Sequence, residues 1–262
     1  MSEKPKSSTS AWVEFWRRED VYRKADWVIC QKVFSRAIET IWRLRPTDRV
    51  LDVGCGPGYI AELLRGRVRS VCGLDISARY VEECRRKFRD VPGWEFFELP
   101  PDYLDFRILD VRRFDRILCF SVVQYYRSLD EVLRLVDEVE RYAAPGALLL
   151  LGDMAFRTGH GILRSSMATL RKSLSEGFFW KQLAFLSRAS RSSFLAALKE
   201  QGYLEFSPED VSRMREALSR KGLPTDLHEL PLALKENRFH LLVHYGSRAV
   251  SPSAVASGPG TS

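Results

Sequence analysis

The chain has 262 residues, 45% of them hydrophobic, with 41 Lys and Arg against 34 Asp and Glu for a formal charge of +7. No apolar run approaches the roughly 18 residues that a membrane span requires, and no signal-peptide pattern opens the sequence. Five cysteines, an odd number scattered through the expected elements, fit reduced thiols rather than a disulfide framework, so a cytoplasmic globular enzyme is expected.

Residues 1–10 and 247–262 are poor in apolar side chains and are expected to be disordered, which leaves 11–246 as one domain with a substantial core. Across 11–45, Trp12, Phe15, Trp16, Tyr22, Trp27, Phe34, Ile41 and Trp42 recur at near-helical spacing, as in a helix that packs by one face. Residues 50–53 then read as a short buried strand running into Gly54-Cys55-Gly56-Pro57-Gly58, after which Ile60, Leu63 and Leu64 open a helix. Three glycines let the backbone turn tightly and approach a ligand with no Cβ in the way. Their spacing is Gly-x-Gly-x-Gly, not the dinucleotide Gly-x-Gly-x-x-Gly, and no Gly-Lys-Ser/Thr follows, which argues against NAD and ATP.

A second strand, 69–75, ends in Asp75, 23 residues beyond Asp52, and a third covers 94–98. The fourth, 114–121, begins Phe114-Asp115 and is followed by Val122-Val123-Gln124-Tyr125-Tyr126. Ser128 and Glu131 form a capping-box pattern before the apolar stripe Val132, Leu135, Val136 and Val139, and Ala144-Pro145-Gly146 is expected to stop that helix. Residues 147–151 read as a buried fifth strand. A long addition, 154–189, precedes a helix at 192–201, and 237–245 alternates like a last, antiparallel strand.

The 50–61 segment, with Asp75 and Phe114-Asp115 at their places, resembles the class I S-adenosylmethionine (SAM) dependent methyltransferases almost residue for residue. The resemblance implies an α/β fold: a seven-stranded Rossmann-like sheet with helices on both faces, an N-terminal helical lid at 11–45 and a helical insertion after the fifth strand. It implies SAM as cofactor and S-adenosylhomocysteine as product. In that family the glycine loop, here Gly54, Cys55, Gly56 and Gly58, wraps the amino-acid end of SAM, with Asp52 close by. Asp75 is expected to hold the ribose hydroxyls, as a carboxylate accepting two charge-assisted hydrogen bonds. Ile76, Phe120, Ser121 and Gln124 complete the expected cofactor set. Asp102 is the expected neighbour of the adenine, although Leu99-Pro100-Pro101-Asp102 departs from the family's usual acid followed by Leu-Pro.

Substrate contacts are expected from Trp12, Trp16 and Tyr22 on the lid and from Arg157, Arg164 and Arg171 on the insertion, whose arginines over an apolar pocket would suit an anionic, partly hydrophobic acceptor. The catalytic candidates are His160, in the glycine-flanked loop Thr158-Gly159-His160-Gly161, and Tyr125. No His and carboxylate set stands at metal-ligand spacing, so no metal is expected. Basic residues are spread along the chain without aromatic interleaving, so nucleic acid is not the expected partner. A small-molecule acceptor, such as a natural product, a saccharide or a lipid, leads. An RNA or protein methyltransferase and a SAM-binding domain without turnover remain open.

Overall fold

The computed structural model describes residues 10–18, 34–35, 41–157, 171, 173–174, 177, 179–229 and 237–246. The sheet runs from β1 (Arg49–Val53) through β2 (Ser70–Asp75), β3 (Trp94–Glu98), β4 (Phe114–Phe120) and β5 (Ala143–Phe156) to β6 (Glu205–Phe206), β7 (Thr225–His228) and β8 (Arg238–His244). Its helices are α1 (Ala11–Arg18), α2 (Tyr59–Leu64), α3 (Ala78–Phe88), α4 (Leu129–Glu140), α5 (Phe179–Ser190), α6 (Phe194–Glu200) and α7 (Pro208–Arg220).

Strand order is β3-β2-β1-β4-β5-β8-β7, with β6 beside β5. Strands β1 to β6 pair in parallel, while β8 lies antiparallel to both β5 and β7. The order reverses between β1 and β4, and at such a switch point the loops leaving the two strands part and open a crevice at their carboxyl ends.

Side chains alternate across the sheet and so divide the core in two. Leu51 and Val53 face a layer that includes Val132, Leu135 and Val136 of α4 and Met214 and Leu218 of α7. Val50 faces the other, with Ile60 and Leu64 of α2, Cys84 and Phe88 of α3, and Trp42. Asp52 shares Val50's face by the same alternation, so a carboxylate is carried into an apolar layer.

Several expectations shift. The sheet has eight strands rather than seven, because Glu205 and Phe206 pair with Ala155 and Phe156 and extend the edge. β5 starts at Ala143, four residues ahead of the expected 147, because Ala143 already pairs with Phe114. The helix before it therefore ends at Glu140, ahead of Ala144-Pro145-Gly146. The capping box of α4 is half formed: Ser128 Oγ accepts the Glu131 N–H, but Glu131 reaches past it to the Arg127 N–H at 2.8 Å. A complete box stands at α7, between Ser207 and Asp210. The expected helix through Ile162, Leu163, Met167 and Leu170 lies outside the described residues, as do 1–9, 247–262 and most of 19–40. Ser10, expected in a disordered tail, is instead buried, its Oγ donating to Gln201 Oε1 at 2.6 Å.

Candidate active site

The crevice at the switch point is built first by the glycine loop, and its glycines serve different ends. Gly54, Gly56 and Gly58 all lie in the left-handed region, at φ 78°, 51° and 75°. A Cβ on Gly54 would stand 2.3 Å from Val122 Cγ2, and one on Gly58 would stand 2.7 Å from Phe88 Cε2. Those two are glycine because the protein itself fills the space. At Gly56 a Cβ would meet nothing within 4 Å, so this glycine borders open space in the crevice.

The loop is fixed from behind. The Gly54 and Cys55 amides both donate to the Leu74 carbonyl, at 2.7 and 3.0 Å. Cys55 is buried, and its contact with Cys84, together with burial and the two nearby carboxylates, pushes its thiol well above the ordinary value. Its side chain is an inert packing element, and what it offers a ligand is backbone.

Two carboxylates line the floor. Asp75 accepts the Gly56 N–H through Oδ2 and the Ser77 N–H through Oδ1, each at 2.8 Å. Burial raises its pKa to about 6, against the lowering effect of these amides. Asp52 is 1% exposed, and its Oδ2 has no hydrogen-bond partner. Burial, with the charge of Asp75 added, raises Asp52 to about 7. An uncompensated buried carboxylate is costly unless a cation or donor meets it. The residues fit SAM on these grounds: an orphaned acid for its ammonium, a second acid for its hydroxyls, and clear space at Gly56.

Beyond β4 lies a polar cluster that sequence reasoning did not assemble. Ser121 and Asp153 both adopt a left-handed φ of 58°, rare for residues with a side chain, and are joined by Ser121 Oγ donating to Asp153 Oδ2 at 2.5 Å. Arg238, buried at the start of β8, donates to Gln124 Oε1 at 2.9 Å and to the Asp153 carbonyl at 2.8 Å. Its Nε lies 3.5 Å from Asp153 Oδ1, an ion pair without hydrogen-bond geometry, so Oδ1 is left without a hydrogen-bond partner. The Asp153 N–H donates to His240 Nδ1 at 3.2 Å, which makes that nitrogen the acceptor in the imidazole. The strain sits where the β5–β8 register breaks, between Leu151 and Met154.

Helix α1 crosses the crevice. Trp12 stacks on Tyr203 with centroids 5.3 Å apart and planes within 6°, and its Nε1 donates to the Gly202 carbonyl at 2.6 Å. Tyr125 lies against both Trp12 and Trp16, at 5.0 and 5.3 Å. At the other end Arg17 pairs with Glu98, the last residue of β3, at 3.2 Å. Eight residues at 1.5 Å rise span about 12 Å, close to the width of β4-β1-β2-β3, so α1 bridges the carboxyl edge.

The structure thus brings Asp52, Cys55, Gly54, Gly56, Gly58 and Asp75 together at the crevice. Ser121 and Gln124 belong to the polar cluster, Ile76 packs on the α4 side of the core, and the buried Phe120 ring stacks on His240 and meets Phe34 edge-on. Asp102 is exposed, and its Oδ1 accepts the Leu104 N–H at 3.3 Å at the start of a turn. Trp12, expected on the substrate, is buried with Phe15, Ala189 and Phe194, because lid and insertion pack directly on each other there. Arg157 turns to the Glu205 carbonyl and Asp210, and Arg171 is exposed. His160, Tyr22 and Arg164 lie outside the described residues. Arg238 and Asp153 went unread because neither sits in a motif. The one signal was an arginine opening an otherwise apolar strand.

Comparison with known proteins agrees with this geometry. Residues 50–146 match a family model described as a methyltransferase domain. Chondramide synthase cmdD of Chondromyces crocatus is 32% identical over 120 residues, 45% of this chain, which spans only 3% of that synthase. A dTDP-4-amino-2,3,4,6-tetradeoxy-D-glucose N,N-dimethyltransferase of Saccharopolyspora spinosa is 25% identical over 69% of this chain and 80% of its own length. The solved N-methyltransferase NodS of Bradyrhizobium japonicum WM9, in complex with S-adenosylhomocysteine, shares the fold with a TM-score of 0.53 at 12% identity, covering 91% of this chain and 98% of its own. The glycine loop, the two acids of the crevice and the switch-point sheet agree with these matches: residues 50–146 are similar to a methyltransferase domain, and the sheet shares the fold of that solved N-methyltransferase.

Proposed function

We propose that the chain transfers a methyl group from SAM to a small-molecule acceptor, a natural product, a saccharide or an anionic lipid. The observation that supports this most is the buried pair Asp52 and Asp75 beneath the open space at Gly56, a floor with negative charge for a cationic ligand. The natural-product synthase and the sugar dimethyltransferase among its relatives support a small acceptor. The buried thiols Cys55, Cys72, Cys84 and Cys119 suit a reducing, cytoplasmic setting.

When bound, SAM supplies an electrophilic methyl on sulfur. The chain's part is alignment and the exclusion of water. In this reading Asp75 accepts the ribose hydroxyls and Asp52 faces the ammonium. Tyr125, held by Trp12 and Trp16, walls the acceptor side. In the same reading Asp153, held by Ser121 and Arg238, takes the proton that an O–H or N–H acceptor gives up. His160 and the arginines Arg157, Arg164 and Arg171 remain candidates for the acceptor's side of the site.

Calorimetry with SAM and S-adenosylhomocysteine, followed by incubation with methyl-labelled SAM and a panel of small-molecule extracts, tests the proposal. Label recovered in a small molecule supports it. Label recovered in RNA or protein transfers the activity to the macromolecular class, and tight SAM binding with no transfer leaves a binding module.

A further inference from the structure

Helix α5 presents to solvent a face that a soluble core does not require. Trp180 is 77% exposed, and Leu183 and Leu186 stand out beside it, with Leu195 of α6 nearby. At 100° per residue Trp180 and Leu183 form one stripe with Leu186 at its margin. Lys181 and Arg188, seven residues apart, lie along its other margin, and Arg191 follows just past the end of the helix. Phe185 and Ala189 point the opposite way, into the aromatic cluster with Trp12 and Phe194, so the outward stripe is not the packing face.

Charge is segregated in the same stretch of the sequence. Basic residues occur along the whole chain, but elsewhere acids match them in number. Residues 154–199 hold eight Lys and Arg against one acid, Glu176, an excess equal to the formal +7 of the entire sequence. A helix of 12 residues is about 18 Å long, too short for a bilayer core of roughly 30 Å, and among the described residues no helix is long and apolar enough to cross one. Trp and Leu on one stripe with Lys and Arg at its margin is the pattern of a helix that lies in an interface, apolar side chains among the acyl chains and cations at the phosphates.

We infer that α5 docks this protein peripherally on an anionic lipid bilayer, with Trp180, Leu183 and Leu186 entering the interface and Lys181, Arg188 and Arg191 against the headgroups. The favoured occupant is lipid rather than an acidic protein because the protruding groups are aliphatic and indole, on one convex helix, beside a cationic rail. The inference stands apart from the methyl-transfer reading and holds or fails without it.

The test is sedimentation of the full chain with vesicles of phosphatidylcholine alone or of phosphatidylcholine with phosphatidylglycerol, followed by Trp fluorescence with brominated lipids. The wild type is expected to bind the anionic vesicles and to show quenching that Trp180→Phe removes. Leu183→Gln with Leu186→Gln lowers partitioning by at least about tenfold. Each of Lys181→Gln, Arg188→Gln and Arg191→Gln lowers it by roughly fivefold at low salt. Apart from Arg188, which is half-buried, these positions are exposed, and unchanged thermal unfolding and SAM affinity in the variants verify the fold. Absence of binding to anionic vesicles overturns the inference. Binding indifferent to the leucine pair also overturns it, since that is adsorption of a cationic protein only. A dimer or a complex with an acidic protein that the leucine pair abolishes, with no vesicle binding, overturns it in favour of a protein interface.

Discussion

The Gly56 amide donates to Asp75 Oδ2 at 2.8 Å, so the acid at the end of β2 holds the loop that leaves β1. One residue therefore anchors the loop and faces the ligand. Asp75→Ala is expected to weaken SAM about ten- to hundredfold, from hydrogen bonds to a charged group worth about 1.5–3 kcal/mol, and to loosen the loop as well. Asp75→Asn, which retains one acceptor oxygen, should lie between. Calorimetry on both variants orders them, and equal affinity in all three proteins would remove Asp75 from the site.

The loop glycines separate by the same logic. Gly54→Ala drives a methyl toward Val122 and should cost about 2–4 kcal/mol in stability, backbone strain plus overpacking. Gly56→Ala meets no protein atom and should cost about 1–2 kcal/mol, the strain alone. Gly56→Val should keep the fold and abolish SAM binding. Urea unfolding beside SAM titration distinguishes the two positions.

Asp52 and Asp75 carry pKa values raised to about 7 and about 6, above the unfolded value of about 3.9. Their protonated forms stabilise the ligand-free fold fully below about pH 4, and that contribution is lost as pH rises through about 6 to 7. Asp52→Asn, which cannot ionise, should therefore stabilise the ligand-free protein at about pH 8 by on the order of 2 kcal/mol. SAM is a cation and favours the ionised acid, so its affinity in the wild type should fall by up to about tenfold for each pH unit below about 7. Thermal melts and calorimetry across that range check both signs.

Trp12 is buried among rings, and Trp12→Ala should cost about 3–5 kcal/mol while weakening SAM through loss of the bridging helix. Arg17 and Glu98 are each more than a third exposed, so Arg17→Ala should change stability by less than about 1 kcal/mol. A faster SAM off-rate in Arg17→Ala, measured by stopped flow, would mark α1 as a lid; an unchanged one would leave it as packing.

Arg238→Ala leaves the Asp153 carboxylate buried without its cation and should cost about 3–5 kcal/mol. Asp153→Asn preserves shape and the Ser121 contact. If Asp153 takes the acceptor's proton, this variant should lose roughly 10²–10⁴ in turnover with SAM affinity unchanged.

The sequence alone determined the parts whose information is local. The Gly54-Cys55-Gly56-Pro57-Gly58 loop, Asp75 at a strand end and the bounds of β3 were readable because turn chemistry and alternation act over a few residues. That spacing also carried the resemblance to the methyltransferases. What only the tertiary structure decided is which atoms meet. Gly54 and Gly58 proved to be glycines for Val122 and Phe88, contacts formed across 68 and 30 positions of the chain. Arg238 reaches Gln124 across 114 residues, and Trp12 reaches Gly202 across 190, separations that no periodicity encodes. Burial decided the rest: Trp12 and Trp16 look alike in sequence, yet only Trp12 is sealed by the neighbours that the fold brings to it. Asp102 faces solvent at the start of the turn 102–105, its side chain accepting the Leu104 N–H, a placement that the local sequence did not reveal.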